Sequence, residues 1–303
     1  MKILVTGGAG FIGSNITDKL IELGYQTIVL DNLSYGNREN INKEVKFYEM
    51  DIKSHDIEDI FMSEDITHVI HHAAQIDVQH SIKDPFFDIQ NNIIGTVNIL
   101  ECCKKFNVKK IIYPSSAAIY GDPEYLPIDE KHPINPMSPY GVSKHTPEHY
   151  LEMYRQLYGL DYTILRYSNV YGPRQDPSGE GGVVSIFIDK MLAGEVPIIY
   201  GNGKQTRDFI YVGDVVEANI KALSEGDGEI VNISSNTQNS VNDLYQIINQ
   251  IMDTKIKPLY KAERKGDIRN SYLDNTRASE VLNWRPAYDL RRGLLYTIEH
   301  ITP

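Results

Sequence analysis

The chain opens on Lys2-Ile3-Leu4-Val5-Thr6, an apolar run too short for a helix and suited to a strand buried on both faces. It passes directly into Gly7-Gly8-Ala9-Gly10-Phe11-Ile12-Gly13, after which apolar positions recur at helical spacing over 12–23. Gly24-Tyr25 ends that helix, and 26–30 reads as a second buried strand. Further runs predict strands at 46–49, 68–71, 110–113 and 162–166, with helices near 54–61, 86–106 and 139–158. Strands alternating with helices predict an α/β protein with a doubly wound parallel sheet and ligands at the carboxyl ends of its strands. Asp51-Ile52, His72-Ala73-Ala74, Ser115-Ser116 and Ser168-Asn169 each follow directly on a predicted strand. After Gly172 the texture changes to Gly- and Pro-rich loops with short strands and helices, which predicts a smaller mixed α/β part.

The glycine run carries chemistry. Glycines let a backbone turn tightly and approach a pyrophosphate, whose charge then sits at the N-terminus of the following helix. The spacing here is Gly-x-x-Gly-x-x-Gly, and Asp31 stands at the end of the second strand, 18 residues after Gly13. An acid at that place accepts from a ribose 2′-hydroxyl and repels a 2′-phosphate, so the expected cofactor is NAD rather than NADP. Residues 1–170 are accordingly expected to form the NAD-binding domain, with 208–230 returning to it, while 171–207 and 231–303 form the substrate-binding part.

Tyr140 and Lys144 in Ser138-Pro139-Tyr140-Gly141-Val142-Ser143-Lys144 are four residues apart, which puts phenol and ammonium on one helix face. A phenol of pKa about 10 is a poor base at neutral pH, and an adjacent cation should bring it toward the working range. With the glycine motif, the pair points to hydride chemistry on an alcohol.

Composition narrows the partners. The formal net charge of −11 argues against nucleic acid. Hydrophobic residues make up 41% of the chain, yet no apolar run approaches a membrane span, so no membrane partner is expected. The first strand begins at once, which leaves no room for a cleaved signal peptide; a cytoplasmic location is the expectation. The two cysteines, Cys102 and Cys103, are neighbours on a predicted helix and are expected as buried free thiols. No Cys/His spacing suggests zinc, and His71-His72 is expected in the cofactor loop or the core, so no metal is expected.

Taken in order, these segments resemble one family. They are Thr6-Gly7-Gly8-Ala9-Gly10-Phe11-Ile12-Gly13, Asp31-Asn32-Leu33-Ser34, His72-Ala73-Ala74, Asn91-Asn92-Ile93-Ile94-Gly95-Thr96, Ser115-Ser116-Ala117-Ala118-Ile119-Tyr120-Gly121, Tyr140 with Lys144, Arg166-Tyr167-Ser168-Asn169-Val170-Tyr171-Gly172-Pro173, Arg207-Asp208-Phe209-Ile210-Tyr211-Val212 and Gly266-Asp267. The chain is similar over nearly its whole length to the extended short-chain dehydrogenase/reductases and, within them, to the UDP-hexose (UDP-glucose) 4-epimerases. The resemblance implies a Rossmann domain in which NAD lies against Gly7, Gly10, Phe11, Ile12, Gly13, Asp31, Asn32, Ser34 and Gly36. Asp51, Ile52, Ala73, Ala74, Gln75, Asn91, Ser168, Tyr140 and Lys144 complete the implied cofactor site. It implies that Tyr140 takes the sugar 4-hydroxyl proton, relayed by Ser116, while hydride passes to NAD and returns to the opposite face of a 4-keto sugar. Related dehydratases carry an acid just after the catalytic hydroxyl; here those positions are Ala117 and Ala118. Asn169, Arg207, Arg264 and Asp267 match positions that hold the nucleotide diphosphate and ribose, and Val183 and Tyr200 flank the base. Ser271 matches a gate position at which a small residue admits an N-acetyl group, so both UDP-glucose/UDP-galactose and UDP-GlcNAc/UDP-GalNAc are expected substrates. A homodimer through the helices at 86–106 and 139–158 is also implied.

Two prolines depart from that family pattern. Pro147 removes a helix donor to the Ser143 carbonyl, where a kink could retilt Lys144, and Pro114 falls at the end of a predicted central strand. Another NAD-dependent nucleotide-sugar enzyme, whether dehydrogenase, reductase or decarboxylase, stays open at this point, as does a non-catalytic NAD-sensing protein.

Overall fold

The structure is a computed structural model and describes residues 1–177, 182–263 and 268–302. In chain order its first half comprises β1 (Lys2–Thr6), α1 (Phe11–Glu22), β2 (Gln26–Asp31), β3 (Lys46–Glu49), α2 (Ile57–Glu64), β4 (His68–His71), α3 (Val78–Lys83), α4 (Pro85–Ile89), α5 (Gly95–Lys105), β5 (Lys110–Ser116), α6 (Pro139–Tyr158) and β6 (Asp161–Tyr167). There follow β7 (Asn169–Tyr171), α7 (Val183–Leu192), β8 (Ile198–Tyr200), β9 (Thr206–Arg207), β10 (Phe209–Tyr211), α8 (Val212–Ala222), β11 (Glu229–Ile233), β12 (Asn239–Ser240), α9 (Val241–Ile251), β13 (Leu259–Lys261), α10 (Thr276–Leu282) and α11 (Leu290–Ile301).

Seven strands form one parallel sheet in the order β11-β6-β5-β4-β1-β2-β3. The chain runs outward from β1 in one direction and from β4 in the other, so the crevice between them is the switch point at which such sheets bind ligands. The two-residue alternation of strand side chains divides the core. Leu4, Val69, Ile111 and Ile164 face α2, α5 and α6 through Ile57, Phe61, Ile99, Leu151 and Tyr154. Ile3, Val5, Ile70, Ile112 and Leu165 face α1 and α8 through Ile16, Leu20, Val215 and Ala218. Ala278, Leu282 and Trp284 belong to that second cluster and β11 runs to Ile233, so the expected boundary at 231 cuts through a strand of the main sheet. A smaller unit packs Phe187 and Ile188 of α7, Ile199 of β8, Leu244 and Ile248 of α9 and Leu294 of α11 around Phe209.

The expected helix at 86–106 is a rod in three pieces: α4, a wide π turn at Gln90–Ile94, and α5. Such turns concentrate at functional sites. This one carries Asn91, which accepts from Lys53 Nζ at 2.9 Å, and Asn92, whose amide donates to Ser143 Oγ at 3.0 Å. Neither departure from the family pattern breaks the scaffold. α6 runs unbroken through Pro147, from a Ser138 cap that accepts from the Gly141 N–H to Gly159 at φ 73°. An interior proline costs about 3 kcal/mol. Burying Leu151 and Tyr154 on the same helix contributes about 1.5–3 kcal/mol each and offsets it. Pro114 lies within β5 rather than at its end; it is paired with Leu165 of β6, beyond Ile112, where the ladder with β4 stops.

Candidate active site

At the carboxyl ends of β1, β2, β4 and β5 lies a cavity of about 720 Å³. Gly7, Gly10, Phe11, Ile12 and Gly13 form its floor, Asp31, Asn32, Ser34 and Gly36 one end, and Ile52, Ala73, Ala74, Gln75 and Asn91 further wall, while Tyr140 and Lys144 stand at the other end. A Cβ on Gly7 would stand 2.5 Å from the Ala73 nitrogen, and one on Gly13 2.2 Å from the Gly7 oxygen, so only glycine lets β1, α1 and the β4 loop approach this closely. A Cβ on Gly10 would meet only the Gly7 oxygen, at 3.2 Å, and otherwise project into open space; the turn is a cradle that side chains would fill. Asp31 is buried, and its carboxylate accepts the N–H groups of Ala9 at 3.0 Å and Leu33 at 2.8 Å. Burial pushes its pKa up and those two N–H groups pull against it. Fixed in this way at the β2 end, Asp31 faces the cavity.

At the other end, the Tyr140 backbone N–H is held by Ser81 Oγ at 3.1 Å; Ser116 closes β5 beside the phenol, outside the cavity lining, with its Oγ accepting the Ala118 N–H at 3.2 Å. Burial raises the phenol pKa, the Ser116 hydroxyl pulls it down, and Asp88 adds to the rise; Lys144, whose charge was expected to lower it, is not among these causes. Lys144 is itself buried, with Nζ 4.6 Å from the centroid of the Tyr113 ring. Burial brings its pKa down to about 8, against the raising fields of Glu148 and Asp88, which leaves it mostly charged at pH 7.

Several expected residues lie elsewhere. Asp51, Ser116 and Ser168 do not line the cavity. Asp51 accepts from the Asn32 amide at 2.9 Å and the Lys53 N–H at 2.8 Å, so it braces the β2 loop from behind. Ser168 donates to the buried Asp208 at 3.2 Å. Asn169 is exposed at the start of β7, and Val183 and Tyr200 are half-buried at the ends of α7 and β8. Arg207 and Ser271 are brought together: Arg207 lies on β9, and the Ser271 N–H donates to Thr206 O at 3.3 Å. Arg264 and Asp267 lie outside the described residues.

The cavity wall also includes His72, which the sequence placed in the cofactor loop or the core, and Tyr35, Asn40, Arg174 and Gln175, none singled out from sequence for this site. Tyr35 and Asn40 had a signal, since they follow Asp31 in the loop after a strand. Arg174 and Gln175 reach the cofactor end from far along the chain, and nothing local marks them. His71 is a core residue, its ring nitrogens 2.7 and 3.0 Å from Thr6 and Thr96 hydroxyls. Cys102 and Cys103 are buried and free. No helix among the described residues is long and apolar enough to cross a membrane.

Residues 3–234 match the model of the NAD dependent epimerase/dehydratase family. The chain belongs to this family. It is similar to the UDP-glucose 4-epimerase of Mycolicibacterium smegmatis, 41% identical over 306 residues that cover 99% of this chain and 98% of that protein. Among solved structures, UDP-glucose 4-epimerase of Thermotoga maritima with UDP-glucose superposes with a TM-score of 0.98 at 48% identity, covering 100% of this chain and 99% of that one. The Thermus thermophilus UDP-glucose 4-epimerase complex with NAD gives 0.94 at 39% identity over 100% and 99%.

Proposed function

We propose that this protein is a UDP-hexose 4-epimerase that interconverts UDP-glucose and UDP-galactose with NAD in the cavity at the sheet's switch point. The observation that carries this reading is Tyr140 with a buried Lys144 in the wall of a glycine-floored cavity that also contains Asp31. When bound, NAD supplies the two-electron acceptor that takes hydrogen from the sugar C4 and gives it back. Gly7, Gly10 and Gly13 leave room for its diphosphate, and Asp31 would accept from its ribose. Tyr140 accepts the 4-hydroxyl proton and returns it, and Ser116 bridges sugar oxygen and phenol. Lys144 keeps positive potential where the phenolate forms. Loss of water from the sugar would need a further acid beside Ser116, and Ala117 and Ala118 offer none. That favours inversion over elimination.

Arg207 and Ser271, adjacent across β9, anchor the nucleotide and border the sugar in this reading. Ser271 leaves space beside the sugar 2-position, so the N-acetylated pair is accepted as well. The exposed apolar residues Phe86, Ile89 and Ile94, with Val142, Met153 and Leu157 on α6, suit a homodimer.

The test is incubation of the purified protein with UDP-galactose or UDP-GalNAc, followed by NMR. Both 4-epimers should appear from either substrate with no net NADH, and Ser271→Tyr should abolish turnover of the acetylated pair alone. Stoichiometric NADH or carbon dioxide in place of an epimer would overturn the epimerase reading.

A further inference from the structure

The face of α6 that carries Val142, Met153 and Leu157 also carries two histidines that the reaction does not use. His145 and His149 are one turn apart, and their Nε2 atoms stand 3.1 Å from each other. Two nitrogens each about 2.1 Å from a common ion, with an angle of about 95° between them, would have this separation. His145 is prepared for such a role by its other nitrogen. Nδ1 lies 3.0 Å from Glu148 Oε2, and Glu148 is buried and held in turn by Arg166 through Oε1 at 3.1 Å and Oε2 at 2.6 Å. A carboxylate that accepts from Nδ1–H fixes the tautomer, leaves the Nε2 lone pair facing His149, and makes that nitrogen a better donor. His149 is exposed, so its ring is free to give up the Nε2 proton and protonate Nδ1 instead.

We propose that His145 and His149 form a binding site for a divalent transition-metal ion of the imidazole-preferring class, Zn²⁺, Ni²⁺ or Cu²⁺. No group of three His, Cys, Asp or Glu side chains among the described residues forms a metal site, so this is a two-ligand site. Its remaining positions are open to water or to a second copy of the chain. Pro147 lies between the two ligands, where α6 has lost a backbone hydrogen bond, so a bound ion ties together the turn that the proline weakens. Half the free energy of a four-ligand zinc site corresponds to a Kd on the order of 10 µM.

Untagged protein freed of metal with EDTA is titrated with ZnCl₂, NiCl₂ and MgCl₂ by calorimetry, and its Tm is followed at each saturation. Zn²⁺ and Ni²⁺ should bind, at one ion per chain or one per two chains where a second copy supplies ligands, and raise Tm by several degrees, whereas Mg²⁺ does neither. His149→Ala, an exposed change outside the catalytic machinery, should weaken Zn²⁺ at least tenfold and remove the Tm rise, and His145→Ala should do the same. Binding by His149→Ala as tight as by the wild type, or no Zn²⁺ binding by the wild type at about 1 mM, would overturn the site. Epimerase assays are not part of this readout, so its failure leaves the proposed reaction standing.

Discussion

At the scale of single residues, the proposed reaction turns on how Tyr140 gives up a proton that burial tells it to keep. Burial raises the phenol pKa and the Ser116 hydroxyl works against that rise. Lys144 carries its charge at pH 7, although burial has brought its pKa to about 8. Tyr140→Phe removes the proposed proton acceptor and keeps the ring in the cavity wall. It should therefore lose several orders of magnitude in kcat while retaining NAD, measured as cofactor co-purifying with the protein. More than about a tenth of wild-type kcat would show that another group takes the proton.

At the scale of elements, the turn between β1 and α1 has the least room for change. A Cβ on Gly13 would fall 2.2 Å from the Gly7 oxygen and 2.9 Å from its carbonyl carbon, both backbone atoms of a residue whose N–H donates to Leu30 O at 2.8 Å. Gly13→Ala should push α1 off the strand end and lose NAD retention at least tenfold, with reduced Tm. Unchanged NAD content would show that the turn can open at little cost. This turn was legible in the sequence because its glycines follow a buried strand, and the parallel sheet was legible because both-face burial leaves continuous apolar runs. The π turn at Gln90–Ile94 was not, since its residues read as ordinary helix; what widens it is tertiary, the inward reach of Asn91 and Asn92. The two- and three-residue strands β8, β9 and β12 are too short to show any periodicity. Ser168 read as a cavity residue from its place after β6, but Asp208, forty positions on, takes its hydroxyl.

At the scale of the whole molecule, buried titratable groups tie stability to pH, and the sign follows from which state holds more protons. Burial lowers His68 to about 4 and His71 and His72 to about 3, so these three stay neutral in the folded protein. In the unfolded chain they take up protons as pH falls through about 6.5, which favours unfolding. Burial raises Asp208 and Asp214 to about 6, so the folded protein holds two protons that the unfolded chain releases down to about 3.9. Those two groups oppose the histidines between about pH 6 and 4. Among these five groups, three protons taken up by the unfolded state against two by the folded leaves about one, worth at most about 1.4 kcal/mol per pH unit, since Asp31, Asp88 and Glu130, also raised by burial, act on the side of the two aspartates. Stability should accordingly fall from pH 7 to pH 5, read as a lower urea midpoint at unchanged slope. The pair Glu148 and Arg166 does not enter this window, because the His145 and Arg166 hydrogen bonds outweigh burial and hold Glu148 at about 2. A midpoint that stays level or rises on acidification to pH 5 would mean that the two aspartates, rather than the three histidines, dominate the linkage.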